Sequence, residues 1–410
     1  MKNVFSLFTA FLLFQFTTIA QQGWFEQTSG TTEILNGISF TDALTGTAVG
    51  EEGTIIRTTD GGTTWTAQSS GTTQQLNGVS FTDAITGTVV GDEGTILRTT
   101  DAGINWIFQF SGTSHNLLGV SFSDSNTGTA VGKNGRIRRT TDGGTNWVQQ
   151  TSGTTEQLES VHFINQNTGW SVGTVGTILN TTDAGENWTV QNSGVTSDLH
   201  CVQFINQNIG WTGGGGVIVK TTNGGTDWVS NGTPGLTTTS ICFVDESNGW
   251  SVANANFGYA GMIRHTTDGG ETWAAQLADV KPLWSIQFVD AYIGWAVGDS
   301  GSVYHTTDGG VSFVEEEKFD EIPSNYNLSQ NYPNPFNPAV KIRYSIPQLS
   351  NVEIKVYDIL GNEIETLVNE EKPSGTFEIT WYAENLPSGV YFYQLKAGSF
   401  IETKKMLLMK

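Results

Sequence analysis

The feature that most constrains this chain is a short motif, TTDGGTTW at residues 58–65, that returns at a nearly constant interval. It recurs as TTDAGINW, TTDGGTNW, TTDAGENW, TTNGGTDW, TTDGGETW and TTDGGVSF. Its third residue falls at Asp60, Asp101, Asp142, Asp183, Asn223, Asp268 and Asp308, at intervals of 41, 41, 41, 40, 45 and 40 residues. A fixed interval of this length is typical of chains built from one repeated supersecondary unit.

Every repeat also contains short segments that are rich in β-forming residues and bounded by Gly, Asp or Ser. In the second repeat they read LNGVSF at 76–81, TGTVVG at 86–91 and TILRTT at 95–100. Such segments are typical of strands joined by tight turns. Four strands in ~40 residues make one blade of a β-propeller, so the repeats predict an all-β, seven-bladed β-propeller over residues 21–317. A solenoid is the alternative, and the ring-sized number of four-stranded units favours closure.

A partial repeat precedes the first complete one. Residues 24–32, WFEQTSGTT, match WTAQSSGTT at 65–73, which is the end of a unit. We therefore expect this segment to pair with the last blade and fasten the ring. The sequence leaves open whether it or the segment 312–317 takes the outermost place.

The TTDGGxTW element resembles the Asp-box of bacterial sialidase-type (BNR) propellers, and the whole unit resembles the propellers of the photosystem II stability and assembly factor family. The resemblance implies a role in assembling or stabilising membrane complexes. Asp and Asn side chains accept hydrogen bonds from backbone N–H groups nearby, and the Gly residues that follow tolerate positive φ. We therefore expect the seven Asp-box positions to be structural, with calcium binding as the lesser alternative.

The period stops after Glu317, and a linker over 318–330 leads to a different module at 331–410. NYPNPFNP at 331–338 places three Pro in eight residues, and alternating apolar segments follow, such as VYDILGNEI and LPSGVYFY. The pattern predicts a small immunoglobulin-like β-sandwich. These motifs and the terminal TKKMLLMK closely resemble the type A C-terminal sorting domain of the type IX secretion system, which implies export and recognition by that machinery. A plain accessory domain is the alternative.

The first twenty residues have the pattern of a secretory signal peptide. Lys2 precedes an apolar run from Val4 to Phe16, and small residues stand before Gln21. The run is shorter than the roughly 20 residues that a membrane span needs, which disfavours an N-terminal anchor. With the tail, this pattern predicts a protein that is secreted or displayed at the outer-membrane surface, and the sorting domain points to a lineage largely without photosystem II.

The chain carries 19 Lys and Arg against 40 Asp and Glu, a net charge of −21. Residues 1–320 account for −19 of it, so the acidity belongs to the propeller. This balance argues against a nucleic-acid partner, because such partners require a basic surface.

No pattern in the sequence favours catalysis, a metal or a cofactor. Arg57, Arg98 and Arg139 occupy one register, which continues as Asn180, Lys220, His265 and His305, and we expect it to be a solvated strand end. The His residues form no ligand pair, and Cys201 and Cys242 are expected to be buried thiols, with a disulfide between these neighbouring inner strands as the alternative. The enzymatic alternative is a sialidase-like glycan hydrolase.

The amino-acid sequence of the turn between the second and third strands varies from repeat to repeat, whereas the sequences on either side of it do not. Since blade seven neighbours blade one in a closed ring, their charges predict an acidic arc formed by Asp299, Glu51, Glu52, Asp92 and Glu93, beside a basic turn with Lys133 and Arg136. The longer sixth turn adds Phe257 and Tyr259. We expect this surface of a monomeric propeller to bind an unknown surface protein or glycan. The alternative is that these are ordinary solvated turns.

Overall fold

A computed structural model of the chain describes residues 23–255, 259–311, 325–332, 334–383 and 386–409. The chain divides into two compact units, Met1–Phe313 and Val314–Lys410. No helix within the described ranges is long and apolar enough to cross a membrane.

The strands of the first unit follow the repeat. Blade 1 contains β2 (Leu35–Phe40), β3 (Gly46–Gly50), β4 (Ile55–Thr58) and β5 (Thr66–Gln68). Blade 2 contains β6 (Leu76–Phe81), β7 (Gly87–Gly91), β8 (Ile96–Thr99) and β9 (Ile107–Phe108). Blade 3 contains β10 (Leu117–Phe122), β11 (Gly128–Gly132), β12 (Arg136–Thr140) and β13 (Val148–Gln150). Blade 4 contains β14 (Leu158–Phe163), β15 (Gly169–Gly173), β16 (Ile178–Thr181) and β17 (Thr189–Gln191).

Blades 5 and 6 share one long strand. Their sheet contains β18 (Leu199–Phe204), β19 (Gly210–Thr221), β20 (Val229–Phe243), β21 (Gly249–Ala255), β22 (Ala260–Thr266) and β23 (Ala274–Val280). The start of β20 pairs with β19 and its end pairs with β21, so this strand is the outer strand of blade 5 and the inner strand of blade 6. Blade 7 contains β24 (Leu283–Phe288), β25 (Gly294–Gly298) and β26 (Val303–Thr306).

The fourth strand of blade 7 is β1 (Phe25–Gln27), from the other end of the propeller sequence. It pairs antiparallel with β26, with Phe25 opposite His305 and Gln27 opposite Val303. The prediction that the N-terminal segment pairs with the last blade is confirmed. The inner strands are neighbours in the order β2, β6, β10, β14, β18, β20, β24 and back to β2, which makes a closed seven-bladed β-propeller.

The core of each blade follows from the strand pattern. Each second strand begins with a Gly that lies against the Phe ending the inner strand, and a Cβ at Gly46 would overlap the Phe40 ring. Val and Ile of the second and third strands are fully buried, as at Val49 and Ile55. β-branched residues fit the pleated surface, so these short segments form strands that pack blade against blade.

The inner strands are also joined by a closed ring of hydrogen bonds. In each blade, the side chain one residue before the conserved Phe accepts the backbone N–H of the next blade's Phe. The seven acceptors are Ser39, Ser80, Ser121, His162, Gln203, Cys242 and Gln287, and the donors are the N–H groups of Phe81, Phe122, Phe163, Phe204, Phe243, Phe288 and Phe40. We call these acceptors the linking ring.

The second unit is an antiparallel, immunoglobulin-like β-sandwich. One sheet contains β27 (Asn327–Leu328), β28 (Ala339–Ile346) and β31 (Gly375–Tyr382), and the other contains β29 (Ser350–Tyr357), β30 (Glu363–Lys372), β32 (Gly389–Ala397) and β33 (Phe400–Leu408). Alternating side chains of both sheets form one core around Trp381 and Tyr393. The Tyr393 hydroxyl donates to Ser329 O and accepts from Asn331 N, each at 2.7 Å, and so holds the start of the NYPNP segment.

Candidate binding face

Hydrogen bonds define two opposite faces of the propeller. Glu51 N donates to Ile34 O, so the turn between second and third strands lies beside the start of the inner strand. Gly61 N donates to Leu44 O, which places the Asp-box beside the turn that follows the inner strand. The first surface, with the turns that begin at Glu51 and its equivalents, is called the loop face, and the second is called the Asp-box face.

On the Asp-box face, the carboxylate of each Asp-box is engaged by its own turn. Asp60 Oδ1 accepts the Thr64 N–H at 2.9 Å and the Thr58 hydroxyl at 2.8 Å, and Oδ2 accepts the Thr64 hydroxyl at 2.6 Å. These bonds lower the pKa of Asp60, with the Thr64 side chain as the largest cause. In the fourth box the equivalent bonds from Asn187 lower the pKa of Asp183 to about 2. Blade 5 keeps the geometry with an amide, Asn223, and a carboxylate at Asp227.

The Asp-box also joins neighbouring blades. Gln27, on β1 of blade 7, donates to Gly61 O at 3.0 Å and accepts from the Trp65 indole at 3.4 Å. The same pair of contacts recurs from Gln68, Gln109, Gln150, Gln191 and Gln276. The polar groups of the Asp-boxes are therefore largely used within the fold.

The Arg register is not a solvated strand end, and that prediction is wrong. Arg57 is 7% exposed, donates to Thr47 and to Ala84 O of blade 2, and lies over the Phe81 ring. Arg98 and Arg139 make the equivalent contacts with blades 3 and 4. The end of the third strand lies under the next blade, so these cations stabilise the blade contacts through cation–π and hydrogen-bond contacts.

Tryptophan takes over this contact in the other blades. Trp170, on the second strand of blade 4, stacks on Phe204 of blade 5 with ring centroids 3.5 Å apart. Blades 1–3 have Thr at the position of Trp170, and this Thr pairs with the Arg of the third strand. Trp211, Trp250 and Trp295 repeat the stack on the next blade. This second Trp set was not predicted from the sequence; its signal is the change from TGTAVG to TGWSVG in the fourth repeat.

On the loop face, the acidic residues lie in three consecutive blades. Glu52 and Glu93 are exposed at the turn tips, and Glu51, Asp92 and Asp299 are half-buried. Asp92 accepts the Asn77 amide at 2.9 Å and Asp299 accepts the Trp284 indole at 2.6 Å. Among the described residues, the carboxylates of Glu51, Glu52 and Glu93 make no hydrogen bond or ion pair.

The acidic turns have fixed backbones. Glu51–Gly53, Asp92–Gly94 and Asp299–Gly301 each form one 3-10 turn. The middle residue has a left-handed backbone, with φ of 51° at Glu52 and 53° at Glu93. Gly53 follows at φ 68° so close to Thr72 O that a Cβ would overlap it. The tips are therefore anchored, and an open groove beside Glu52 is lined by Thr31, Gln68 and Thr72.

The remaining loop-face residues flank this arc. Tyr259 in blade 6 is 84% exposed, whereas Phe257 lies outside the described residues. Lys133 is exposed in blade 3, and Arg136 donates to Gln149 at 2.9 Å. The structure thus brings the predicted acidic residues and Tyr259 to one face.

The His and Cys residues hold structural positions. Burial lowers the pKa of His162 to about 4, and its Nδ1 accepts a backbone N–H in the linking ring, so the neutral imidazole is the form that fits. Cys201 and Cys242 are free and buried, and burial raises their pKa values to about 12 and 11. Within the described ranges, no group of three His, Cys, Asp or Glu residues could hold a metal ion.

Comparison with protein families gives two matches. Residues 17–111, 108–189 and 153–281 match the family described as photosynthesis system II assembly factor YCF48. Residues 330–409 match the secretion system C-terminal sorting domain. No curated protein matches the chain.

Solved structures agree on the fold. YCF48 from Cyanidioschyzon merolae is 22% identical, with a TM-score of 0.58, over 69% of this chain and 98% of that chain. A YCF48 bound to D1 peptide is 21% identical, with a TM-score of 0.59, over 70% and 96%. A Niastella koreensis GH74 enzyme is 13% identical, with a TM-score of 0.56, over 93% and 74%. At these identities the likeness concerns the fold alone.

Proposed function

Because the chain belongs to the photosynthesis system II assembly factor YCF48 family, we propose that its propeller is a noncatalytic binding scaffold. The observation that carries the proposal is the group of uncommitted carboxylates on the rigid turns of adjacent blades at the loop face. The Asp-box carboxylates are engaged by their own turns, whereas Glu51, Glu52 and Glu93 on the loop face are not. Free charges on rigid turns are available to a ligand without reorganisation.

The ligand that fits this face is cationic, with an apolar or aromatic group beside the charge. The acidic arc attracts a basic segment, and Tyr259 supplies apolar contact at its edge. A polypeptide is the partner class supported by the YCF48 structure with a bound D1 peptide. The Asp-boxes, in this proposal, are structural.

The sorting domain at 330–409 supports export, and we propose the type IX machinery as the route. Cells that produce the chain with and without residues 326–410 provide one experiment for location, ligand and activity. The intact chain should reach the surface or the medium, crosslink there to a partner, and turn over none of a panel of fluorogenic glycosides. Arrival outside the cell without residues 326–410 would overturn the route, and glycoside turnover would overturn the noncatalytic proposal in favour of a glycan hydrolase.

A further inference from the structure

The third strand of blade 3 carries two arginines that break the repeat. Arg136 stands where blades 1, 2 and 4 have Thr, and Arg138 stands where the same blades have Ile or Leu. Alternate residues of a strand lie on the same side of a sheet, so the two side chains share one side of β12. Arg138 Nη2 donates to Gly112 O, in the segment that joins blades 2 and 3. Arg136 and Arg138 are called the arginine pair.

The arginine pair has no counterion. Arg138 is 7% exposed, and burial lowers the pKa of its guanidinium, which the nearby charge of Arg136 lowers further. The ion pairs among the described residues all lie in the second unit, so no described carboxylate is within ion-pair distance of the arginine pair. A buried charge without a partner is costly, and buried cations in proteins are normally paired.

Much of the hydrogen-bonding capacity of the pair is also unused. Arg138 donates to Gly112 O alone, and Arg136 Nη1 donates to Gln149 Oε1 at 2.9 Å. Within the described residues, the Nε atoms of both arginines are buried without a partner. Arg264 occupies the position of Arg138 in blade 6, and there Nε and Nη2 donate to two buried hydroxyls. The fold can therefore satisfy an arginine at this position, and in blade 3 it does not.

The pair lies along a groove that a ligand can enter. In blade 1, the open groove beside Glu52 is lined by Thr31, Thr54, Ile56 and Ala67. The equivalent residues of blade 3 are Thr113, Arg136, Arg138 and Gln149. Within the described residues, Arg138 Nη1 makes no hydrogen bond and is not enclosed, so the buried guanidinium still presents a donor to solvent.

We infer that the arginine pair binds an oxyanion group of a ligand, namely a carboxylate, sulfate or phosphate, which goes beyond the proposed function. Planar guanidinium groups match such oxyanions with paired N–H donors, and these charge-assisted hydrogen bonds are stronger than neutral ones. A bound oxyanion supplies the counter-charge that the pair lacks and accepts from its unused N–H groups. Lys133, exposed at the adjoining turn, adds a positive charge that attracts an anion. The acidic arc lies in blades 7, 1 and 2, so either site can fail without the other.

Calorimetric titration of the chain from residue 21 onward with inorganic phosphate, sulfate and glutarate, at constant ionic strength, tests the site. We expect saturable binding at one site per chain, with a Kd of about 1 mM or below for at least one anion. The anion that binds most tightly distinguishes a tetrahedral group from a carboxylate. Arg136→Thr/Arg138→Leu installs the residues of blades 2 and 4 and should weaken binding at least about tenfold.

Arg343→Gln/Lys396→Gln is the matched control, because it removes two exposed cations from the second unit and gives the same net charge. It should change the Kd by less than about twofold. Since the arginine variant loses an unpaired buried charge, it should resist urea at least as well as wild type in buffer without phosphate or sulfate. Arg136→Thr alone, at the half-buried position, should weaken binding at least about threefold and serves if the double variant does not fold. Absence of saturable binding to wild type, or equal binding by wild type and a folded arginine variant, would overturn the inference.

Discussion

Removal of residues 23–28 is expected to lower the free energy of unfolding by more than about 4 kcal/mol, enough to leave most of the propeller unfolded or aggregated at 37 °C. The segment supplies the fourth strand of blade 7 and contacts with both neighbouring blades. Gly23 N donates to Asp308 at 2.9 Å, and the Gln27 amide donates to Gly61 O of blade 1 at 3.0 Å. Its loss opens the ring at the one junction that has no covalent continuity.

Trp24 carries much of this effect because it replaces an Asp-box tryptophan. The seventh box ends in VSF, and the Trp24 indole donates to Gln276 at 3.0 Å and packs edge-on to Phe288 at 5.6 Å. Trp188 makes the same two contacts in blade 4, with Gln150 and Phe163.

Trp24→Ala and Trp188→Ala are therefore a matched pair, each expected to cost about 2–4 kcal/mol in urea unfolding. Trp24→Ala alone should also make the N-terminus sensitive to protease, because its strand is held at one end only. A deletion of 23–28 that melts within a few degrees of the intact chain would contradict the closure mechanism.

His162→Ser is expected to remove part of the acid sensitivity of the fold. In the unfolded chain this imidazole takes up a proton near pH 6.5, whereas burial in the linking ring lowers its pKa to about 4. The unfolded state therefore binds more protons as the pH falls, and the folded state loses stability between pH 6.5 and 4.

The full pKa shift of His162 corresponds to roughly 3 kcal/mol, of which about 2 kcal/mol is lost by pH 5. Because the His162 residue is only partly buried by surface area, we expect about 1 kcal/mol over that range. Serine is the matched replacement, since Ser39, Ser80 and Ser121 accept the equivalent backbone N–H in blades 1–3.

Urea unfolding gives the free energy of unfolding that wild type and His162→Ser each lose between pH 8 and pH 5. The difference between these two losses measures the contribution of His162. At pH 5 the Asp-box carboxyls with lowered pKa values, such as Asp142 and Asp183, stay ionised in both proteins. His265 and His305, whose pKa values burial also lowers, in His305 to about 4, are retained in both proteins and contribute to the remaining slope. An identical loss in wild type and variant would show that His162 does not carry a proton-linked cost.

The fold could be predicted because it repeats. The spacing of Asp60 and its equivalents determines the number of blades, and WFEQTSGTT identifies the closing strand. The linking ring could not be predicted, because Ser39, His162, Gln203 and Cys242 share a register and a geometry but no chemical type. The structure requires only a hydrogen-bond acceptor at this register, and several residue types supply one, so no sequence pattern identifies the ring.

The site was predicted less well than the fold, for a physical reason. The acidic turns were placed on one face by blade order alone, since a ring fixes which turns are neighbours. Arg57 was misplaced because burial at the end of a strand depends on the next blade, which no local pattern describes. The ligand depends on a partner surface that the chain does not encode.

The affinity of the chain for a synthetic peptide with four lysines followed by a phenylalanine is the direct test of a binding site on the loop face. Glu51→Gln/Glu52→Gln/Glu93→Gln removes three loop-face charges, and Glu186→Gln/Glu246→Gln/Glu271→Gln removes three exposed charges from the Asp-box face, so both variants have the same net charge. We expect roughly tenfold weaker, salt-sensitive binding for the loop-face variant and less than about a twofold change for its control. Equal losses in both variants, or none in either, would contradict a binding site on the loop face.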